Sequence, residues 1–200
     1  MRPLLLLLAC LFSAAAQEAE PVYKFGTTVV VPMGLKGQIY FLRRDTQWLP
    51  NFARMKPVGT IYTQSLNVPP QSFTQGFPGV TRRFEWFAID YTGRFWIAAA
   101  GLYRFSLLSD DGSKLYIDDE LVIENDGVHP ARDQRGEVDL TTGMHRIRVS
   151  YFQGPRMEVA LVLRVAPPGA RFKIFTTDEF KPPPDAPWSD PPEEPKKRKR

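Results

Sequence analysis

The sequence has almost no cysteine, since Cys10 is the single one among 200 residues. Cys10 lies in an N-terminal leader that contains Arg2, the apolar run Leu4–Leu8 and the small residues Ala14–Ala16. These three parts are typical of a secretory signal peptide, which we assign to residues 1–16. Its removal would leave an exported protein without a thiol nucleophile, a disulfide or a thiolate metal site.

The leader also allows a second interpretation, because Leu7–Cys10 resembles the box at which bacterial lipoproteins are cleaved and acylated. An acylated Cys10 would anchor the protein to a membrane surface. The apolar run before Cys10 is short for a lipoprotein, so we expect simple export to the outside or to the periplasm and cell envelope. No later stretch approaches the ~20 apolar residues of a membrane span, and we therefore predict no transmembrane segment.

The folded part of the chain also has little net charge. Most of the formal net charge of +4 belongs to Arg2 and to residues 181–200, which end in five consecutive basic residues. The nearly neutral remainder excludes a nucleic-acid-binding surface. Residues 181–200 are rich in proline and charge, which predicts a disordered basic tail after a C-terminal extension over residues 167–180.

The chain lacks the 3.6-residue apolar period of a long helix and shows short alternating apolar segments instead. Glycine and aspartate turns separate these segments about every 8–12 residues, as in a sandwich. We expect an all-β antiparallel β-sandwich without substantial helix over residues 34–166, preceded by a lead strand in residues 17–33. Within it, Thr92–Gly93 is expected to be a turn, and Arg132 and Arg135 are expected to be solvated loop charges.

The Asp-Gly step after Asp110 is the strongest hairpin signal, because alternating apolar residues flank it on both sides. The turn carries two adjacent carboxylates, Asp110 and Asp111, although a turn needs one at most. Two hard oxygen ligands on a tight turn suit calcium. The alternative is a structural turn in which one aspartate accepts nearby backbone N–H groups. Both interpretations remain open at this point.

Signals of catalysis are missing. Neighbouring carboxylates on one turn do not provide the separation of about 5–9 Å that glycoside hydrolysis requires. His129 and His145 lack a nucleophile elbow or a zinc signature around them. His145 alternates with Ile147 and Val149, which predicts a histidine at the edge of the core. We therefore expect a protein that is not an enzyme.

The order of four motifs is more specific than any one of them. They are Gly34–Tyr40, Gly101–Phe105, Ser109–Asp118 and Gly143–Phe152. Together they resemble the fourteen-kilodalton domain of anthrax protective antigen, which also occurs in yeast flocculins, epithelial adhesins and bacterial glycosidases. The resemblance covers roughly residues 34–166 and implies a β-sandwich.

The resemblance also implies a binding site. In carbohydrate-binding members, two consecutive aspartates joined by a cis peptide bind calcium, which contacts sugar hydroxyls, and a later asparagine completes the site. The aspartates match Asp110 and Asp111, the implied calcium ligands. The position of the asparagine falls near Gln153, whose carbonyl oxygen is one methylene further out. The implied ligand-binding residues are therefore Asp110, Asp111 and Gln153.

The function expected from the sequence is that of an exported, non-enzymatic carbohydrate-binding module, with calcium as its cofactor. Its partner would be a glycan or a cell-envelope polymer. A protein-interaction or envelope-scaffold module of the same fold, without a ligand, is the alternative. A module accessory to a glycoside hydrolase is a weaker one, because the chain is too short to carry a catalytic domain as well.

Overall fold

The computed structural model describes residues 34–73, 83–156, 158–184 and 186. The leader, the lead strand assigned to residues 17–33 and most of the tail assigned to residues 181–200 lie outside the described residues. The described part contains one 3₁₀ turn, Phe52–Arg54, and no α-helix, so it has no helix that could cross a bilayer.

Eleven strands form the described part of the chain. In order they are β1 (Leu35–Phe41), β2 (Gly59–Thr63), β3 (Asn67–Ser72), β4 (Phe87–Ile97), β5 (Gly101–Asp110), β6 (Ser113–Ile117), β7 (Glu120–Asn125), β8 (Arg132–Leu140), β9 (Gly143–Gln153), β10 (Glu158–Ala166) and β11 (Lys173–Ile174).

The strands make two antiparallel sheets. One has the order β2-β1-β4-β9-β6-β7, and the other has the order β11-β10-β5-β8, with β3 also paired to β10. Alternate residues of each strand face the space between the sheets, as in β9, where Ile147, Val149 and Tyr151 are buried. The predicted fold class, an all-β antiparallel sandwich, is confirmed.

Two sequence predictions about local structure were wrong. Thr92–Gly93 is not a turn but the middle of β4. A Cβ at Gly93 would lie 2.7 Å from the Leu35 side chain, so the glycine permits close packing between strands rather than a reversal. Arg132 and Arg135 are not loop charges but belong to β8, which is the edge strand of its sheet. Edge strands carry many charged residues, and this weakened the alternating pattern.

The predicted hairpin at Asp110–Gly112 is also absent. β5 pairs with β10 and β8, whereas β6 pairs with β7 and β9 in the opposite sheet. The turn at residues 111–112 is therefore a crossover between the sheets. The same holds for the β7–β8 and β9–β10 connections. Because the strands alternate in direction, all three crossovers lie at one end of the sandwich.

Candidate functional site

The three crossovers are joined by one side chain. Oδ2 of Asp111 accepts the backbone N–H of Gly154 at 2.7 Å, and Oδ1 accepts that of His129 at 3.0 Å. Asp111 thus connects the β5–β6 crossover to the β9–β10 and β7–β8 crossovers. The connection after β9 therefore lies beside the other two connections at this end.

Asp110 and Asp111 are both buried, with exposed fractions of 7% and 3%. The peptide bond between them is cis, as the resemblance implies for this pair. The carbonyl oxygen of Asp110 accepts the Tyr151 hydroxyl at 2.7 Å. Below the pair, Ser109 and Ser113 are 2.6 Å apart at their hydroxyl oxygens and are both fully buried. The base of the crossover is therefore held by polar contacts from both sheets.

Gly112 completes the crossover because no side chain fits at this position. A Cβ there would overlap the ring of Phe152 and would lie 2.8 Å from the backbone nitrogen of Gly127. The β5–β6 and β7–β8 crossovers thus touch backbone to backbone. This close approach fixes the position of Asp110 and Asp111 relative to the loop that follows β7.

A cavity of about 430 Å³ opens at this end of the sandwich. Its lining combines three carboxylates with a histidine and three apolar residues: Asp110, Asp111, Glu158, His129, Val128, Pro130 and Pro155. The two adjacent aspartates predicted from the sequence thus face one cavity together. Such a cavity, mostly apolar and with a few convergent polar groups, has the composition of a small-ligand site.

The cavity disfavours the ionised form of both aspartates. Burial, together with the nearby charges of Asp111 and Glu158, raises the pKa of Asp110 to about 7. Burial also raises the pKa of Asp111, although the N–H groups of Gly154 and His129 act in the opposite direction. Ionising both aspartates together is therefore unfavourable unless positive charge is near.

Gln153 is fully buried next to this pair. Its Oε1 lies 2.5 Å from the Tyr151 hydroxyl, and its Nε2 donates to the carbonyls of Pro155 and Glu158, both at 3.2 Å. Nε2 is 3.5 Å from Oδ2 of Asp111. The structure therefore brings Gln153 to the aspartate pair, with its amide nitrogen rather than its carbonyl oxygen on the Asp111 side.

The donor set fits a calcium ion in part. Carboxylate oxygens are the ligands that calcium prefers, and Asp110 and Asp111 present them side by side at the cavity. Within the described ranges, no group of three or more His, Cys, Asp or Glu residues is close enough to hold a metal ion. Calcium would therefore need oxygens beyond these two carboxylates, from water, from a ligand or from Gln153.

Five residues of the cavity are missing from the site predicted from the sequence: Val128, His129, Pro130, Pro155 and Glu158. No catalytic or zinc motif surrounds His129, yet its backbone N–H donates to Asp111 and its Nε2 lies 3.0 Å from the carbonyl oxygen of Asn125. Glu158 alternates with apolar residues in β10, and Val128 follows an Asp-Gly turn. Secondary structure alone accounts for both patterns. No local signal showed that three separate connections meet here.

Comparisons with known proteins concern the family and the fold. The family model described as the PA14 domain matches residues 49–173. No curated protein matches the chain. A PA14 sugar-binding domain from an RTX adhesin is 20% identical over 73% of this chain and 96% of its own, with a TM-score of 0.60.

Two further solved structures have the same fold. The PA14 domain of the MpAFP antifreeze protein is 16% identical over 82% of this chain and 94% of its own, with a TM-score of 0.61. The epithelial adhesin 9 A domain from Candida glabrata, in complex with Galβ1-3GlcNAc, is 17% identical over 79% and 94%, with a TM-score of 0.55. At these identities the likeness establishes the fold alone.

Proposed function

We propose that this chain, which belongs to the PA14 domain family, is an exported, non-enzymatic carbohydrate-binding module that binds calcium and sugar at the end of the sandwich. The observation that carries the proposal is the cavity itself. Asp110 and Asp111 contribute adjacent carboxylates to it, and Val128, Pro130 and Pro155 contribute apolar surface. Sugars present both hydroxyl groups and apolar C–H faces, so this combination suits them.

The ligands of calcium would be Asp110 and Asp111, with Gln153 as a third. When bound, calcium offers coordination positions to pairs of sugar hydroxyls. Asp111 is held in place by the N–H groups of His129 and Gly154, which leaves its position fixed before a ligand arrives. Ligation by Gln153 requires its amide to turn over and to give up its donation to Pro155 and Glu158.

Two structures with the same fold support the choice of a sugar. One is the RTX adhesin domain, which is described as sugar-binding, and the other is the Candida glabrata adhesin domain in complex with a disaccharide. In this chain the corresponding partner would be a glycan or a cell-envelope polymer. Export follows from the leader over residues 1–16.

One observation favours a second candidate, a protein-interaction or envelope-scaffold module without a ligand. Each carboxylate oxygen of Asp111 already accepts a backbone N–H, so Asp111 has a complete structural role in the absence of metal. In that case the aspartate pair would serve only to connect the three crossovers.

Glycan binding in calcium and in chelator separates the two candidates. The protein is applied to an array of immobilised oligosaccharides and their component monosaccharides, once with millimolar calcium and once with EDTA. We expect binding to a subset of the glycans in calcium and its loss in EDTA. Absence of binding to every glycan in both buffers would contradict the proposal and favour the ligand-free module.

A further inference from the structure

Trp48 is the most exposed large apolar residue of the described chain, with an exposed fraction of 65%. It lies in the long connection between β1 and β2, outside both sheets. Tryptophan side chains are on average highly buried, because they carry a large apolar surface. The indole of Trp48 therefore leaves much of its apolar surface open to a ligand.

The loop around Trp48 is attached to the rest of the molecule. The backbone N–H of the next residue, Leu49, donates to Oδ1 of Asp126 at 2.8 Å. Asp126 in turn makes an ion pair with Lys114 at 3.1 Å. These contacts connect the β1–β2 loop to the β7–β8 crossover, so Trp48 is presented from a fixed position.

The indole of Trp48 is packed against Gly127 of that crossover. A Cβ at Gly127 would lie 3.1 Å from Cζ3 of Trp48, and Gly127 has a φ of +102°, in the region that favours glycine. One part of the indole therefore rests on glycine backbone, while most of it faces solvent.

Gly127 also connects Trp48 to the cavity. The backbone of Gly127 also lies close to Gly112, which directly follows the Asp110–Asp111 pair, because a Cβ at Gly112 would be 2.8 Å from the Gly127 nitrogen. The next residue, Val128, is 39% exposed and lines the cavity. Consecutive residues are about 3.8 Å apart at Cα, so one short step of backbone separates the wall of the cavity from the indole. Trp48 thus packs on the residue that directly precedes Val128, which lines the cavity.

We propose that Trp48 is the aromatic wall of a second sugar subsite next to this cavity, and that it determines a preference for oligosaccharides over monosaccharides. This inference rests on the proposed function. The first sugar unit occupies the cavity at Asp110 and Asp111, and the apolar face of the next unit packs on the indole. Tryptophan is one of the residue types enriched at the positions that contribute most to binding.

The test compares Trp48→Ala with Trp48→Phe and with Leu121→Ala. Leu121 is 50% exposed and lies near the start of β7, at the opposite end of the sandwich, so it serves as a matched control. Binding of each protein to the oligosaccharide and monosaccharide array is titrated in millimolar calcium. Thermal unfolding in calcium and in EDTA is recorded for the same proteins.

We expect Trp48→Ala to lower oligosaccharide affinity about tenfold and to leave monosaccharide affinity and the calcium-induced shift of the melting temperature unchanged. Trp48→Phe keeps most of the affinity, and Leu121→Ala keeps all of it. The inference is overturned if Trp48→Ala binds oligosaccharides like the wild type, or loses monosaccharides and oligosaccharides to the same degree. A wild type that binds no glycan overturns the proposed function instead, and the inference with it.

Discussion

The carboxylate of Asp111 and the backbone N–H of Gly154 are joined by a hydrogen bond of 2.7 Å across two crossovers. The same carboxylate accepts the N–H of His129 from the third. The residue that the calcium proposal requires is therefore also the residue that holds the end of the sandwich together. Asp110 differs, because its contact with Tyr151 is made by its backbone carbonyl, while burial and the nearby charges of Asp111 and Glu158 act against its ionised side chain. The two aspartates can thus be separated by mutation.

In the absence of calcium, Asp111→Asn is expected to lower the free energy of unfolding by about 1–3 kcal/mol. The amide group of asparagine has one acceptor oxygen where the carboxylate has two, so either Gly154 or His129 loses its partner. Asp110→Asn is expected to cost less, or to stabilise the protein, because it removes a buried charge beside Asp111 and Glu158. Urea unfolding of both variants in EDTA makes the comparison. Equal losses in the two variants would contradict the structural role of Asp111.

Gly112→Ala is expected to be strongly destabilising, by about 1–3 kcal/mol or more, because the new methyl group would overlap Phe152 and the backbone of Gly127. Gly59→Ala is the matched control. Its Cβ would meet only Cδ1 of Ile39, at an ordinary distance of 3.5 Å. We expect the control to change stability by less than about 1 kcal/mol. Thermal unfolding of both variants checks this, and a tolerated alanine at 112 would show that the crossovers do not touch as described.

His145 predicts a dependence of stability on pH. Its Nδ1 lies 2.6 Å from Oδ2 of Asp118 and its Nε2 lies 2.8 Å from the carbonyl of Thr141, so both ring nitrogens face acceptors, which favours the protonated ring. The hydrogen bond to Asp118 raises the pKa of His145, against an opposing effect of burial. The stabilisation is therefore complete below the unfolded pKa of about 6.5 and is lost as pH rises through the folded pKa.

Urea unfolding between pH 6 and pH 9 measures this loss, in an Asp110→Asn background so that the Asp110 carboxyl does not titrate in the same range. His145→Gln, which carries no charge in this range, should remove most of the decline. A decline that persists unchanged in His145→Gln would assign it to another group.

The leader gives a prediction that does not depend on the folded domain. Mass spectrometry of the exported protein should find an N-terminus at Gln17 or within a residue or two, because Ala14–Ala16 provide the cleavage site. An acylated Cys10 would contradict this and would make the protein membrane-anchored.

The sequence predicts the strands of this fold better than it predicts their partners. β9 and β10 follow directly from alternating apolar residues, and the motifs around Asp110 and Gly143 indicate the family. An Asp-Gly turn between two strands has the same local sequence in a hairpin and in a crossover. Which sheet receives β6 is decided by packing against β9, which is distant along the chain.

In the candidate site, too, some residues are predictable from the sequence and others are not. Asp110 and Asp111 are predictable because they are adjacent, whereas a turn needs one aspartate at most. His129 and Glu158 reach the cavity, and Trp48 reaches Gly127 beside it, only because separate connections meet at one end. No spacing along the chain records that meeting, so these residues became visible only in the structure.

Thermal unfolding of the protein by calorimetry, in millimolar calcium and in EDTA, tests the central claim most directly. A ligand that binds only the native state must raise the melting temperature, by an amount that grows with its concentration above Kd. We predict that calcium raises the melting temperature of the wild type, that a bound oligosaccharide raises it further, and that Asp110→Asn removes most of the calcium effect. A wild type whose melting temperature is the same in calcium and in EDTA would contradict the calcium-dependent site.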